Sequence, residues 1–135
     1  MDVLINIDVD DLEKALRFYS DAIGLRPGRR LGPCVTEMIG GSVPIYLLAK
    51  AAGTAAANTT RQRRSYERHW TPIHLDFVVG EIETAVKKAI AAGARLESSI
   101  TTHAWGKLAV LADPFGHGFC LIQFLGRGYD EISAQ

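Results

Sequence analysis

A chain of 135 residues with 15 basic and 15 acidic side chains carries no net formal charge, which removes the long-range pull that a basic protein exerts on nucleic acid or an acidic membrane. Its 47% hydrophobic content, without a long apolar run, is that of one globular domain with enough chain to bury a core and no membrane-spanning helix. Cys34 and Cys120 are too few for a disulfide framework or a thiolate zinc cage, and the first residues lack the basic-then-apolar order of a secretion signal, so a cytoplasmic location is expected.

The first predicted element is a strand. Along Leu4-Ile5-Asn6-Ile7-Asp8-Val9, Ile5, Ile7 and Val9 share one side, and Leu4, Asn6 and Asp8 share the other. Leu12, Leu16, Tyr19 and Ile23 then recur at helical spacing, with Asp10 or Asp11 as N-cap and Gly24 as the stop. Strand-like runs follow from Cys34 to Ile39 and from Pro44 to Leu48. From Ala49 to Thr71 the chain is rich in Ala, Thr and Arg with no apolar period, which reads as a linker. Its Arg61, Arg63, Arg64 and Arg68 are expected in solvent; a clamp on an anionic ligand is the sharper alternative.

The pattern then repeats. His74-Leu75-Asp76-Phe77-Val78-Val79-Gly80-Glu81-Ile82 echoes the segment that begins at Leu4, and Ile82, Val86 and Ile90 mark a second helix ending at Gly93. Further strands are expected over Ser98 to Thr102, Lys107 to Ala112 and Gly118 to Phe124. The duplication predicts an α+β fold of two modules in one domain over residues 1–135: module 1 at about 1–50, a linker at about 51–71 and module 2 at about 72–126. Each module reads as a strand, a helix and then two or three strands.

Alternation also assigns faces. Ile5, Ile7 and Val9, with Leu75, Phe77 and Val79, are expected beneath the helices, leaving Leu4, Asn6 and Asp8 with His74, Asp76 and Val78 on the opposite face. Covering that second face would strand two aspartates at a cost of several kcal/mol each, so an open cleft between curved sheets is expected. Asn6, Asp8, His74 and Asp76 would supply its polar contacts, and Tyr46, Trp105 and Phe124 its aromatic walls, with Trp70 at the end of the linker able to fold over it. Taken alone, His74 reads as a hydrogen-bonded strand residue, Cys120 as a small buried hydrophobe with no evident base, and His117 as a turn residue; His69 and His103 are ambiguous.

The second half, from His74-Leu75-Asp76-Phe77-Val78-Val79 through Ala92-Gly93-Ala94 and Trp105-Gly106-Lys107 to Asp113-Pro114-Phe115-Gly116-His117 and Phe119-Cys120-Leu121-Ile122-Gln123, closely resembles the vicinal oxygen chelate superfamily. That superfamily includes glyoxalase I, extradiol dioxygenases, fosfomycin-modifying enzymes and bleomycin-resistance proteins. The first half, with Asp11-Leu12-Glu13-Lys14-Ala15-Leu16-Arg17-Phe18-Tyr19 and Ile23-Gly24-Leu25, is similar to the other module. The resemblance implies paired βαβββ modules forming a U-shaped sheet cavity, usually in a dimer. In metal-using members the first and last strands of each module supply two His and two Glu or a close variant; here those positions are Leu4, Tyr46, His74 and Cys120. Only His74 is a conventional ligand, so no metal and no cofactor are expected. A rearranged cluster of His74, Asp76 and Asp8 with Cys120 is the alternative.

Two functions follow. The first is a metal-free protein that sequesters or recognises a small aromatic compound through Asn6, Asp8, Tyr46, His74, Asp76, Trp105, Cys120 and Phe124. Cationic bleomycin gains no electrostatic capture from a neutral chain. The second is a glyoxalase- or dioxygenase-like lyase or isomerase, with a rearranged metal site or metal-free acid-base work by His74 and an aspartate. Whether the chain is an enzyme is left open. A homodimer is expected, because curved sheets leave edges and apolar surface to cover, and neither nucleic acid nor membrane is an expected partner.

Overall fold

Asp11 starts the first helix, α1 (Leu12–Ile23), from an extended backbone, and its carboxylate accepts from the Lys14 N–H at 3.0 Å. Gly24 stops it at φ 83°, in the left-handed region, with its N–H donating to the Ser20 carbonyl. The second helix, α2 (Ile82–Ala92), is built alike: the Glu81 carboxylate accepts from the Glu83 and Thr84 N–H groups, and Gly93 closes it.

The computed structural model describes residues 1–134. Around the two helices the strands are β1 (Ile5–Val9), β2 (Arg26–Arg30), β3 (Val35–Ile39), β4 (Ile45–Ala49), β5 (Leu75–Val78), β6 (Arg95–Leu96), β7 (Thr101–His103), β8 (Gly106–Ala112) and β9 (Gly118–Phe124), followed by a 3-10 turn at Gly128–Glu131. The fold is α+β. One sheet runs β1-β4-β3-β2, with β1 parallel to β4; the other runs β5-β9-β8, with β5 parallel to β9 and with β6 and β7 both paired to β8. Because β6 meets Leu111 and Ala112 while β7 meets Gly106 to Leu108, the two act as one interrupted strand. Each half is thus a βαβββ module.

Two strands differ from the sequence reading. β2 carries Arg26-Pro27-Gly28-Arg29-Arg30 and is exposed throughout, so it has no apolar alternation to read; it sits at the sheet edge, where proline and glycine are tolerated. The run expected from Ser98 to Thr102 forms only from Thr101, and the chain pairs earlier at Arg95–Leu96.

The faces are as expected. Val9 is fully buried, and Ile5, Ile7, Phe77 and Val79 pack against the core that both helices share. Leu4, Asn6, His74, Asp76 and Val78 are exposed on the other side. A buried hydrogen bond of 2.6 Å from the Tyr19 hydroxyl to Asp113 ties α1 to the second module, and burial, reinforced by the Asp113 charge, holds that hydroxyl protonated far above its ordinary range. The other Asp113 oxygen accepts from the N–H groups of Phe115 and His117, at 2.8 and 2.9 Å. This fixes the Asp113-Pro114-Phe115-Gly116 turn and aims His117.

Arg61 and Arg63 of the linker are exposed as expected, but Arg64 and Arg68 are not free in solvent. The linker folds on itself through the Ala55 to Arg63 bridge, and Arg64 Nε reaches Asp8 at 2.7 Å. Arg68 forks onto Glu97, with Nε and Nη2 at 2.7 and 2.9 Å, where β6 and β7 are interrupted. Gly116, at φ 83°, lets the linker backbone pass; a Cβ there would collide with the Glu67 carbonyl oxygen. Among the described residues no helix is long and apolar enough to cross a membrane.

Candidate functional site

Parallel pairing of β5 with β9 sets Asp76 opposite Cys120, and His74 lies two residues earlier on the same side. His74 Nε2 is 3.1 Å from Asp76 Oδ1, and one ligand atom from each of His74, Asp76 and Cys120 lies within 4.8 Å of the others. Cys120 is buried, and its thiol is pushed up to about 11, first by burial, then by the Asp76 charge and by the hydrogen bond to that carboxylate. The thiol is therefore a donor at neutral pH, not a nucleophile. The base near Cys120 that the sequence did not reveal is Asp76, brought there by strand register.

A cleft of about 240 Å³ opens over this cluster, walled by Arg68, Trp70, Val110 and Phe119. It continues through Thr71, His74 and Gly118 into a gap of about 340 Å³ between β1 and β5, where Asn6, Asp8, His69 and His117 also emerge. Since β1 and β5 are each the edge of their own sheet, Ile7 and Phe77 reach that gap as well. A separate hollow of about 450 Å³ beside Gly24, Gly41 and Val78 carries Asp76 as its one titratable group.

The structure joins some of the expected site residues and separates others. Asn6, Asp8 and His74 share the gap; His74, Asp76 and Cys120 form the cluster. Asp8 does not enter that cluster, because Arg64 holds its carboxylate. Tyr46 is turned to Glu37, donating its hydroxyl at 3.1 Å to a carboxylate that Arg29 Nε and Nη2 also grip at 3.1 and 2.7 Å. The Arg29 guanidinium and the Tyr46 hydroxyl hold the Glu37 carboxyl down at about 2. Trp105 and Phe124 lie elsewhere: their ring centroids are 6.4 Å apart, and both pack on Tyr129, at 5.3 and 4.8 Å. Four residues of β9 put Phe124 about 13 Å from Cys120, too far to share its cleft. Trp105 and Phe124 therefore form a terminal aromatic cluster, and the aromatic walls at the cleft are Trp70 and Phe119.

Sequence reasoning missed a histidine pair. His117 Nδ1 is 2.9 Å from His69 Nε2, and His117 Nε2 is 2.6 Å from the Asp8 carbonyl oxygen. The contact spans linker, turn and β1, so no local spacing announces it.

The metal set implied by the resemblance is not assembled from Leu4, Tyr46, His74 and Cys120: leucine has no donor and the Tyr46 hydroxyl is engaged by Glu37. What remains is a three-donor set of nitrogen, oxygen and sulfur, chemistry that suits a borderline cation such as Zn²⁺ better than Mg²⁺.

Residues 4–122 match the family model described as a glyoxalase-like domain. Among curated proteins, the anthracycline biosynthesis protein DauV of Streptomyces sp. strain C5 is 27% identical over 121 residues, 88% of this chain and 40% of that protein. An uncharacterised protein of Mycobacterium bovis is 33% identical over 66 residues, 47% of this chain and 43% of its own. The chain thus spans less than half the length of these relatives. Among solved structures, a glyoxalase/bleomycin resistance/dioxygenase family enzyme from Burkholderia phytofirmans has a TM-score of 0.70 at 22% identity, with 90% of this chain and 97% of that one covered. The fosfomycin resistance protein FosX from Listeria monocytogenes has a TM-score of 0.68 at 16% identity, covering 91% and 92%. At these identities the structural likeness speaks for the fold.

Proposed function

The chain belongs to the glyoxalase-like family of the vicinal oxygen chelate superfamily, and from that premise we propose that it binds a small aromatic compound in the joined clefts beside His74. The observation that carries this reading is the mixed wall: Trp70, Phe77 and Phe119 offer apolar faces, while Asn6 and His74 stand exposed with hydrogen-bonding capacity to spare. Such a wall suits a flat molecule with a few orienting polar groups. The name of the Streptomyces relative supports a polycyclic aromatic ligand, since anthracyclines are flat fused-ring compounds. In this reading the protein recognises or sequesters its ligand as a homodimer, for which exposed Leu4, Ile73 and Val78 provide apolar surface; sedimentation at monomer mass would remove that part.

The test is quenching of tryptophan fluorescence by a neutral anthraquinone. Quenching that survives Trp105→Phe and disappears in Trp70→Phe supports the reading. Quenching carried by Trp105, or none, overturns it.

A second reading is favoured by the His74, Asp76 and Cys120 donors: a metal-dependent lyase or isomerase. A bound Zn²⁺ would supply Lewis-acid polarisation of a substrate carbonyl. The chain's own contribution would be to hold the ion with these three side chains, which first requires the Cys120 proton to leave against a pKa of about 11. Elemental analysis of chelator-free protein decides between the readings. One zinc per chain, lost in His74→Ala, would favour the enzyme.

A further inference from the structure

We propose that the cleft roofed by the linker, which adjoins the joined clefts, binds a small aromatic carboxylate, drawn there by a proton that His69 and His117 share. The hydrogens on the two rings set the charge of the pair. His69 Nδ1 is 2.9 Å from the Glu67 carbonyl oxygen, His69 Nε2 is 2.9 Å from His117 Nδ1, and His117 Nε2 is 2.6 Å from the Asp8 carbonyl oxygen. A carbonyl oxygen only accepts, so both outer nitrogens carry hydrogen. The contact between the two inner nitrogens needs one more. Three hydrogens on four ring nitrogens make one imidazole and one imidazolium: the pair carries a single positive charge.

That charge has no carboxylate of its own. Asp8 offers the pair its backbone carbonyl, while its side chain is committed to Arg64. The other charged groups packed near the pair are equally spoken for or turned away: Arg68 is paired with Glu97, Asp113 receives Tyr19 and two backbone N–H groups, and Asp10, whose charge reaches Tyr66, and Glu67 are exposed and do not line the cleft. Lining the cleft, the one carboxylate of Asp8 faces Arg63, Arg64 and the histidine pair, which leaves two positive charges in excess. In a chain with no net charge this is a local concentration that selects an anion.

Shape and walls narrow the class. The cleft holds about 500 Å³, within the range of small-ligand sites, and is flanked by the Tyr66 ring and by Trp70 at its mouth, with Gln62 as a further polar group. A planar ring between Tyr66 and Trp70 with its carboxylate toward Arg63 and the histidines satisfies both halves of the lining. The site adjoins the one proposed above and shares Asp8, His69, Trp70 and His117 with its walls, but it adds Arg63 and Tyr66 and needs none of His74, Asp76 and Cys120.

The experiment is calorimetric titration of the full chain near neutral pH with benzoate and with benzamide, its neutral counterpart. Benzoate is expected to bind at least about tenfold tighter, and Arg63→Gln and His69→Gln are each expected to weaken benzoate by about fivefold or more without changing benzamide. Arg63 is exposed on the linker and its Nη1 donates to the Gly53 carbonyl at 2.8 Å, a bond that the second variant, His69→Gln, leaves untouched. With benzoate bound, long-range proton–nitrogen NMR is expected to find three protonated ring nitrogens across His69 and His117. Equal affinities, no benzoate binding up to about 10 mM, or only two protonated nitrogens would each overturn the proposal. Because Trp70 lines both clefts, anthraquinone binding is run beside the titration in His74→Ala, which touches only the joined clefts, and in Arg63→Gln, which touches only this one. Benzoate failing while His74→Ala weakens anthraquinone removes this site alone, and Arg63-dependent benzoate binding without anthraquinone binding removes only the reading of the previous subsection.

Discussion

The two modules present equivalent rows of side chains across their open faces, and they use them in opposite ways. Across the first sheet the row is Asn6, Tyr46 and Glu37; across the second it is Asp76, Cys120 and Val110. The acid of the first row is closed off: Glu37 is buried, forked by Arg29 and capped by Tyr46, and a Cβ at Gly28 would sit 2.7 Å from its Oε1. That acid staples on β2, a strand with no apolar side of its own. The acid of the second row is left exposed beside an imidazole and a thiol. A duplicated frame can thus place its acid at different points of the same row, on the third strand for architecture in one copy and on the first strand, open to ligands, in the other.

The largest way to break this contrast is at the ligand. Trp70→Ala is expected to weaken an aromatic ligand by roughly 1–3 kcal/mol, the scale of a lost aromatic contact, whereas Trp105→Ala and Glu37→Gln should leave affinity within about twofold. Equal losses at Trp70 and Trp105 would mean that the open face of the second module is not the site. Next in size is the thiol. Asp76→Asn removes the second and third causes of the raised Cys120 pKa and keeps burial, the first, so the thiol should titrate below about 11 but stay above 9. Alkylation at fixed pH should then speed up by roughly three- to tenfold, as a shift of half to one unit implies. An unchanged rate would show that Asp76 does not govern Cys120.

A smaller effect is expected at the linker. Arg64 and Asp8 are half-buried, and Arg64→Gln should destabilise the fold by about 1 kcal/mol after screening, read as a shift in the denaturant midpoint. No shift would return the linker to the solvated segment that its composition suggested.

How far the sequence could be read follows from which interactions are local. The first helix cap to within one residue, both glycine stops and the alternating β1 and β5 were legible, because each depends on neighbours within a few residues. β2 was not, since its support is the ladder it forms with β3 and the grip of Arg29 on Glu37, neither of which an apolar pattern announces. At the site, His74 and Asp76 follow from alternation alone, and Cys120 joins them by register. Tyr46 has the right parity, yet Glu37 on the adjacent strand claims its hydroxyl. Trp105 and Phe124 were misplaced because face parity says nothing about position along a strand. The His69 and His117 contact joins residues from linker and turn that only the folded chain brings together.

The smallest expected effect tests the closed half of the contrast by acid. The Glu37 carboxyl titrates at about 2 in the folded protein against 4.5 ordinarily, first because the Arg29 side chain donates to it, then because the Arg29 backbone N–H does. A depressed carboxyl contributes stability that is fully present above its unfolded value and is lost as pH falls toward its folded one. The window is therefore from about 4.5 down to about 2, and nothing should change at higher pH. Glu37→Gln removes the charge that Arg29 grips, so the variant should be less stable than the wild type at neutral pH and the two should converge across that window. Chemical denaturation of the two proteins at pH steps across the window reads the outcome. An acid limb that persists unchanged in Glu37→Gln would show that Glu37 is not the acid that closes the first face.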